Sequence, residues 1–484
     1  MMQDKDLIGL VLAVIGVGGG ILCACISQRV RDLFFVLMVF LAPMTEDFDI
    51  NFVSRDFYRG TTRGFEFSIV DILSISLLVA AVLVPRRDQV RVFWPGSLGF
   101  MLLLFIYACF NVGVSDPKLF GLFELSKMLR GIAIFLAAAL FIQSERELKL
   151  LLLALGAIVC YEGLLALKQR YYYGIHRVYG TIDDSNSLSV FFCTTAPVLA
   201  AALTSRLPRL YKLLAAAGVA LASVGVILTI SRTGVITLGL VLLGTALATV
   251  SLRLTARKVI VALLAVLLGA GLVGKSWKTL RTRFQESSLQ SEYGNKRSMG
   301  RGYYLRMAKA IADDRWLGVG LNNWSWWVSN KYGPKQGYRF VPYRSLDRDP
   351  STIIPADSNV DMAQAAPAHN LGALTLGELG IPGLVLFAFL WLRWFSMGAG
   401  FLWKRTSDPM RRIGVGLFFG LLGIFLHSLT EWVFRQSPIY YVIHILLGVM
   451  AALVFARRRE KKLVADEVET VPLESPCLAG VADR

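Results

Sequence analysis

The chain of 484 residues holds only four histidines. One of them, His369, follows Pro367-Ala368 at the point where a polar stretch gives way to an apolar run. A neutral imidazole at a membrane-surface cavity suits a general base acting on a hydroxyl; the bland alternative is a histidine that caps the helix beginning there. Arg232, in Thr-Ile-Ser-Arg-Thr-Gly, occupies a tight turn between two apolar runs. A guanidinium held there could grip a phosphate through two parallel hydrogen bonds, or simply snorkel to headgroups. Arg301, in Ser-Met-Gly-Arg-Gly-Tyr-Tyr, falls at the predicted start of a helix, where the dipole disfavours a cation. A bound anion would reverse that penalty, and free N–H groups, dipole and arginine together would form a phosphate site. Taken singly, it reads as a surface arginine.

Further ionisable residues lie inside apolar runs, where lipid does not tolerate them unpaired. Glu124, Lys127 and Arg130 share the first half of one run, as a structural ion cluster or as contacts to a charged substrate. His427, Glu431 and Arg435 follow at i, i+4 and i+8, which on a continuous helix makes one polar stripe. Glu378 is nine residues beyond His369, half a turn around and about 13 Å away on a straight helix. It therefore reads as a partner for an arginine of another helix rather than as the group that orients His369. Asp47-Phe-Asp49 and Asp347-Arg-Asp349 fit an Asp-x-Asp metal pattern too short to be specific, and are read as loop acids.

The elements that must hold these residues follow from composition. Hydrophobic residues make up 55% of the chain and mean hydropathy is +0.56, with the apolar residues in long blocks. This is the signature of a polytopic, all-α membrane protein, because a helix satisfies its own backbone in lipid. The net charge of +17 sits mostly between apolar runs, where it orients a chain in a bilayer rather than recruiting nucleic acid. Of the six cysteines, five lie in or beside apolar runs and Cys477 is in the tail, so neither a disulfide framework nor a zinc site is implied. The N-terminus lacks a basic n-region, so residues 7–26 are expected to be a retained span.

Runs able to cross a membrane lie near 7–26, 67–84, 97–113, 119–142, 148–167, 187–204, 210–230, 234–250, 258–274, 370–395, 413–432 and 438–456, with a shorter run at 33–44. About 12 or 13 transmembrane helices are predicted, with no sheet of consequence. Arg29/Arg31, Arg86/Arg87/Arg91, Arg146/Lys149, Arg206/Arg209/Lys212, Arg253/Arg257/Lys258, Lys404/Arg405/Arg411/Arg412 and Arg457–Arg459 form one alternating set, expected to be cytoplasmic. The N-terminus falls outside if residues 33–53 span and inside if they do not. The predicted organisation is N-terminal transmembrane helices over 1–275, a large outward loop over 276–368, C-terminal transmembrane helices over 369–456, and a cytoplasmic basic segment over 457–484 with a polar, disordered tail from 463. Within the loop, 302–312 has helical composition, with Leu305, Ala308 and Ala312 on one face, and 333–366 reads as irregular.

Three motifs in order carry a resemblance: Ser231-Arg-Thr-Gly234 between helices; Gly300-Arg301 with Tyr303-Tyr304 and Ala312-Asp-Asp-Arg-Trp-Leu-Gly-Val-Gly320 in the long loop; and Ala368-His-Asn370 leading into Gly377-Glu-Leu-Gly-Ile-Pro-Gly383. Together they resemble the bacterial O-antigen ligase and O-antigen polymerase superfamily, most strongly over 225–395. The resemblance implies a C-type glycosyltransferase-like helical fold in the inner membrane, facing the periplasm with the C-terminus cytoplasmic. It implies an enzyme that moves a glycan from undecaprenyl diphosphate to lipid A-core or to a second lipid-linked glycan, with no cofactor and no metal. By that likeness His369 is the base and Arg232 and Arg301 hold the diphosphate, while Lys127, Arg130, His427, Glu431 and Arg435 are further contacts to substrate. A base removing the acceptor's proton opposite the departing diphosphate predicts inversion. Two readings from other classes stay open: a transporter or flippase for lipid-linked saccharide, for which no internal repeat is seen, and a non-catalytic membrane component of a polysaccharide export complex. Ligase and polymerase are not separated.

Overall fold

A computed structural model describes residues 4–47, 49–85, 92–250, 274, 281, 293, 300–349, 363–403 and 406–470. Most are helical. Helices α1 (Asp4–Ile26), α2 (Gln28–Leu41), α3 (Ile69–Leu83), α4 (Leu98–Val114), α5 (Lys118–Phe141), α6 (Glu145–Tyr171), α7 (Ser185–Leu203), α8 (Arg209–Leu228) and α9 (Arg232–Thr249) come first. Then follow α10 (Arg301–Asp314), α11 (Leu371–Ala399), α12 (Pro409–Ser428) and α13 (Ser437–Thr470). The apolar runs named above are helices except 258–274, which apart from residue 274 lies outside the described residues. Eight of the helices, α1, α6–α9 and α11–α13, are long and apolar enough to cross a membrane. α3 and α4 are apolar but shorter, and α5 carries Glu124, Lys127 and Arg130.

The helices bury a continuous apolar core in which α7 is central, packed on α8, α9 and α12. α7 and α12 touch backbone to backbone: a Cβ at Gly420 would meet the Thr194 carbonyl at 2.4 Å. Small residues are what allow helices to approach so closely where lipid provides no hydrophobic drive. In keeping with the expectation of no sheet of consequence, the described residues hold one short antiparallel hairpin, of strands β1 (Asp49–Phe52) and β2 (Phe65–Ser68), registered Asp49↔Ser68 and Phe52↔Phe65. Ser68 ends it and starts α3 through a capping box with Asp71.

The alternation of charge along the chain becomes two faces. On one, arginines of the basic set cap carbonyls at helix ends: Arg31 donates to Ala24 O (2.6 Å) and Val84 O (2.8 Å), Arg412 to Thr249 O and Arg457 to Gly400 O. The hairpin, the 172–184 connection, α10 and the 429–436 connection lie on the other. α1 runs parallel to α3, with Gly9 against Ile50 of the hairpin, Gly16 against Ile72 and Gly20 against Ser76. The start of α1 is therefore on the hairpin face, which selects the branch in which the segment containing α2 traverses. At the other end, α13 continues to Thr470, so residues 463–470 are helical rather than disordered; the stretch holds neither Gly nor Pro until Pro472.

Candidate active site

Four helices begin around one short turn, Leu429–Glu431. α11 starts at Asn370, whose side chain accepts from Ala373 N (2.8 Å) and donates to Leu429 O (2.7 Å). α9 starts at Ser231, which caps Gly234 N (3.2 Å), and Thr430 Oγ1 lies 3.4 Å from Thr233 Oγ1. α7 starts at Asp184, which accepts from Ser187 N, and its Asn186 donates to Glu431 Oε1 (3.2 Å). α10 starts at Gly300 with no side-chain cap, and Arg301, its first residue, comes within 3.6 Å of Glu431 Oε1. Each N-terminus contributes partial positive charge and unsatisfied N–H groups, so the convergence is a strongly anion-favouring place. Arg232 and Arg301 each occupy the first helical position of their helix, the place where a cation is least comfortable without an anion.

Within this ring, His369 Nδ1 lies 2.6 Å from Glu431 Oε2. A carboxylate only accepts, so the neutral imidazole carries its proton on Nδ1 and presents the Nε2 lone pair outward. The His369 side chain is 38% exposed while Glu431 is 10% exposed, the disposition of a reactive group held by a sheltered one. Tyr304 of α10 packs its ring 5.3 Å from the imidazole; burial, and then the Glu431 carboxylate, push its phenol up to about 12, so it remains a hydroxyl. The turn before α9 is strained: Ile230 is β-branched yet has φ +55°. Such backbone persists where the surroundings over-determine it, and here Arg177 Nε donates to Thr229 O (3.3 Å) while its guanidinium holds the Asn186 carbonyl oxygen (3.1 Å).

Residues 217–388 match the family model described as O-antigen ligase. Over this segment, which runs from α8 into α11 and contains Arg232, Arg301, His369 and Glu378, the chain is similar to the O-antigen ligase family. No curated protein matches the chain. The likeness supports a membrane glycosyl ligase or polymerase role, with lipid-linked glycan as the general class of substrate. Glu431, Arg177 and Asn186 come from outside the matched segment and complete the site.

Two motifs of the matched segment turn out to be one structural unit. α11 is broken at Gly380 (φ +68°), which frees carbonyls of the preceding turn. The segment Trp316–Gly320 lies across the break as a strap: Val319 N donates to Gly377 O (2.9 Å), Gly320 N to Glu378 O (2.9 Å), and Ile381 N to Trp316 O (3.0 Å). A Cβ at Gly380 would stand 2.2 Å from Trp316 O, which is why both partners are glycine-rich. Because the strap follows α10 directly, it fixes Arg301 relative to His369. Tyr303, Met307 and Ile311 complete the seating by burying against Ala373 and Leu374 of α11. Of the expected face, Ala308 buries with them, whereas Leu305 is exposed.

Of the other sequence candidates Glu431 reaches His369, and the rest are placed apart from it. α12 ends at Ser428, so the stripe His427–Glu431–Arg435 does not exist as one helical face. The chain turns at 429–432, sending Glu431 to His369 and Arg435 inward. Arg435 donates to Glu124 Oε1 (3.1 Å), Glu378 Oε2 (2.5 Å) and Thr61 Oγ1 (3.0 Å), all buried. Lys127 Nζ is fully buried against Glu124 Oε2 (3.1 Å) and Arg435 O (2.6 Å). Arg130 leaves that cluster and pairs with Asp71 (3.0 Å) and Glu66 (3.1 Å). His427 is buried, with neither ring nitrogen hydrogen-bonded among the described residues. Asp347, of the second Asp-x-Asp string, pairs with Arg55 at 3.0 Å. Sequence reading missed Arg177 and Asn186; the signal available was a cap-forming Asp184 and an arginine in an otherwise sparse loop between two spans.

Proposed function

We propose that the protein transfers a glycan from undecaprenyl diphosphate to an acceptor hydroxyl, lipid A-core or a second lipid-linked glycan, at the face bearing the hairpin and α10, in the periplasm. The observation that supports this most is the His369–Glu431 pair set among four helix N-termini, two of which begin with arginine. His369 Nε2 takes the proton of the acceptor hydroxyl as its oxygen bonds to the anomeric carbon. Glu431 stabilises the imidazolium that forms. The anomeric C–O bond to the diphosphate breaks on the opposite face, giving inversion, and the leaving group departs with the electron pair. Its added negative charge develops where Arg232, Arg301 and the helix N-termini already point, the arrangement in which electrostatics lowers a barrier. In this reading Glu431 orients the base rather than binding substrate. Lys127, Arg130 and Arg435 hold the helices that carry the site.

The test uses purified protein in lipid nanodiscs with purified undecaprenyl diphosphate-linked glycan and, in separate arms, lipid A-core or further lipid-linked glycan as acceptor. Product should form in one arm, with the configuration at the anomeric carbon inverted, and should persist in EDTA. It should disappear in His369→Ala and Arg301→Ala while both proteins remain folded. Unchanged rates in both variants would refute the mechanism.

A further inference from the structure

Beside the His369–Glu431 pair lies a polar cavity of about 370 Å³, formed by three connections that do not otherwise share a function. The hairpin contributes Asp49, Asn51 and Arg63, the α6–α7 connection Asp183, and the α12–α13 connection Trp432 and Gln436. Its size falls within the range of about 300–1,000 Å³ typical of small-ligand sites. Trp432 follows Glu431 directly, and Asp183 is three residues from Asn186, so two of the three walls are continuous with the site. Trp432 is half-buried, leaving part of its indole facing the cavity.

The charge of the lining decides what can enter. Arg63 is outnumbered by Asp49, Glu66, Asp183 and Asp184. Glu66 is held by Arg130 and Ser437, and Asp184 caps α7. Asp49 and Asp183 have no ion-pair partner among the described residues. A diphosphate is repelled by this lining and attracted instead to Arg232 and Arg301 at the starts of α9 and α10. By charge, the donor's leaving group and this cavity are therefore separate places in the site. What suits the cavity is a ligand rich in hydroxyls, with an apolar C–H face for the indole and no negative charge of its own.

We infer that this cavity is the acceptor subsite, binding the terminal non-anionic sugar whose hydroxyl is delivered to His369. The inference rests on the transferase reading above. Asp49 supports it further, because burial, and then Glu66, push its carboxyl up to about 7, so that at neutral pH it both donates and accepts hydrogen bonds to hydroxyls.

The experiment measures binding without turnover. Saturation-transfer NMR and titration in nanodiscs would follow two probes, delipidated lipid A-core oligosaccharide and the delipidated glycan repeat, which separate the two possible sources of the acceptor sugar. One should bind wild-type protein, with affinity unchanged by added inorganic pyrophosphate or by Arg301→Ala. The isosteric pair Asp49→Asn/Asp183→Asn should weaken it at least five-fold, and Trp432→Phe should weaken it while retaining some binding. If neither saccharide binds, or if binding is untouched by all three substitutions, the assignment is overturned. Saccharide binding that responds to these substitutions in a protein that never transfers glycan would instead refute the transferase reading and leave the subsite standing.

Discussion

Glu378 lies in the helix that His369 immediately precedes, yet the structure gives it an opposite kind of importance, and Glu378→Gln makes that measurable. Its carboxylate is one of two that balance two cations, Glu124 and Glu378 against Lys127 and Arg435, with every side chain at most 8% exposed. The substitution leaves one net positive charge in a buried cluster and weakens the 2.5 Å bond to Arg435. Breaking a buried pair costs about 3–5 kcal/mol when the remaining charge is uncompensated. Glu124 still holds Arg435 at 3.1 Å, so we predict the lower end, about 3 kcal/mol. With an unfolding entropy of about 2.1 cal/mol/K per residue, the midpoint should fall by about 3 °C. Thermal unfolding in detergent would read this, alongside transfer at low temperature, which should stay within a few-fold of wild type. Adding Lys127→Met restores neutrality and should recover part of the loss. His369→Ala should show the reverse: a midpoint within about 1 °C, since the residue is partly exposed, and no transfer. If Glu378→Gln unfolds no earlier while abolishing transfer, Glu378 belongs to the chemistry and the division made above is wrong.

Other predictions follow from the same geometry. Glu431→Gln should slow transfer by about 10²-fold, the scale of lost general-base assistance, with Asn186→Ala costing less because Glu431 keeps Arg301; a shifted pH–rate profile in both would distinguish positioning from a merely structural role. Gly380→Ala should destabilise by about 1–3 kcal/mol through its positive φ alone, with the clash against Trp316 O adding to this; earlier thermal unfolding and faster proteolysis of the strap would show it. Asp49 ionises near pH 7 in the fold, above its unfolded value. Its contribution to stability is therefore present below about pH 4 and lost as pH rises through 7. Glu66 and Asp71 act in the same sense and Arg130 against it, while Arg63, Asp183 and Asp184 face it across the cavity. Asp49→Asn should raise the midpoint relative to wild type at pH 8, with the gain shrinking toward pH 4; a gain independent of pH would contradict this.

The sequence alone determined the helices, because each needs only a local run of apolar residues and lipid leaves the backbone no other solution. It also separated the two faces, since arginines collect at one set of helix ends, and it singled out Arg232, Arg301 and His369, because a charge or imidazole at an apolar boundary is conspicuous in one dimension. It could not pair them with partners brought from elsewhere in the chain. Glu431 looked like a member of a helical stripe until the chain turned after Ser428, and a turn at that point depends on the four helices that begin around it. Arg177 and Asn186 carried no periodic signal, being loop and cap residues whose neighbours are distant in sequence. The acceptor cavity has no motif at all, because its walls come from three connections. Trp316–Gly320 and Gly377–Gly383 were visible as two glycine-rich strings. Only the tertiary structure showed that one fills the break in the other, since the backbone hydrogen bonds a helix loses at a kink must be regained from whatever segment packs there.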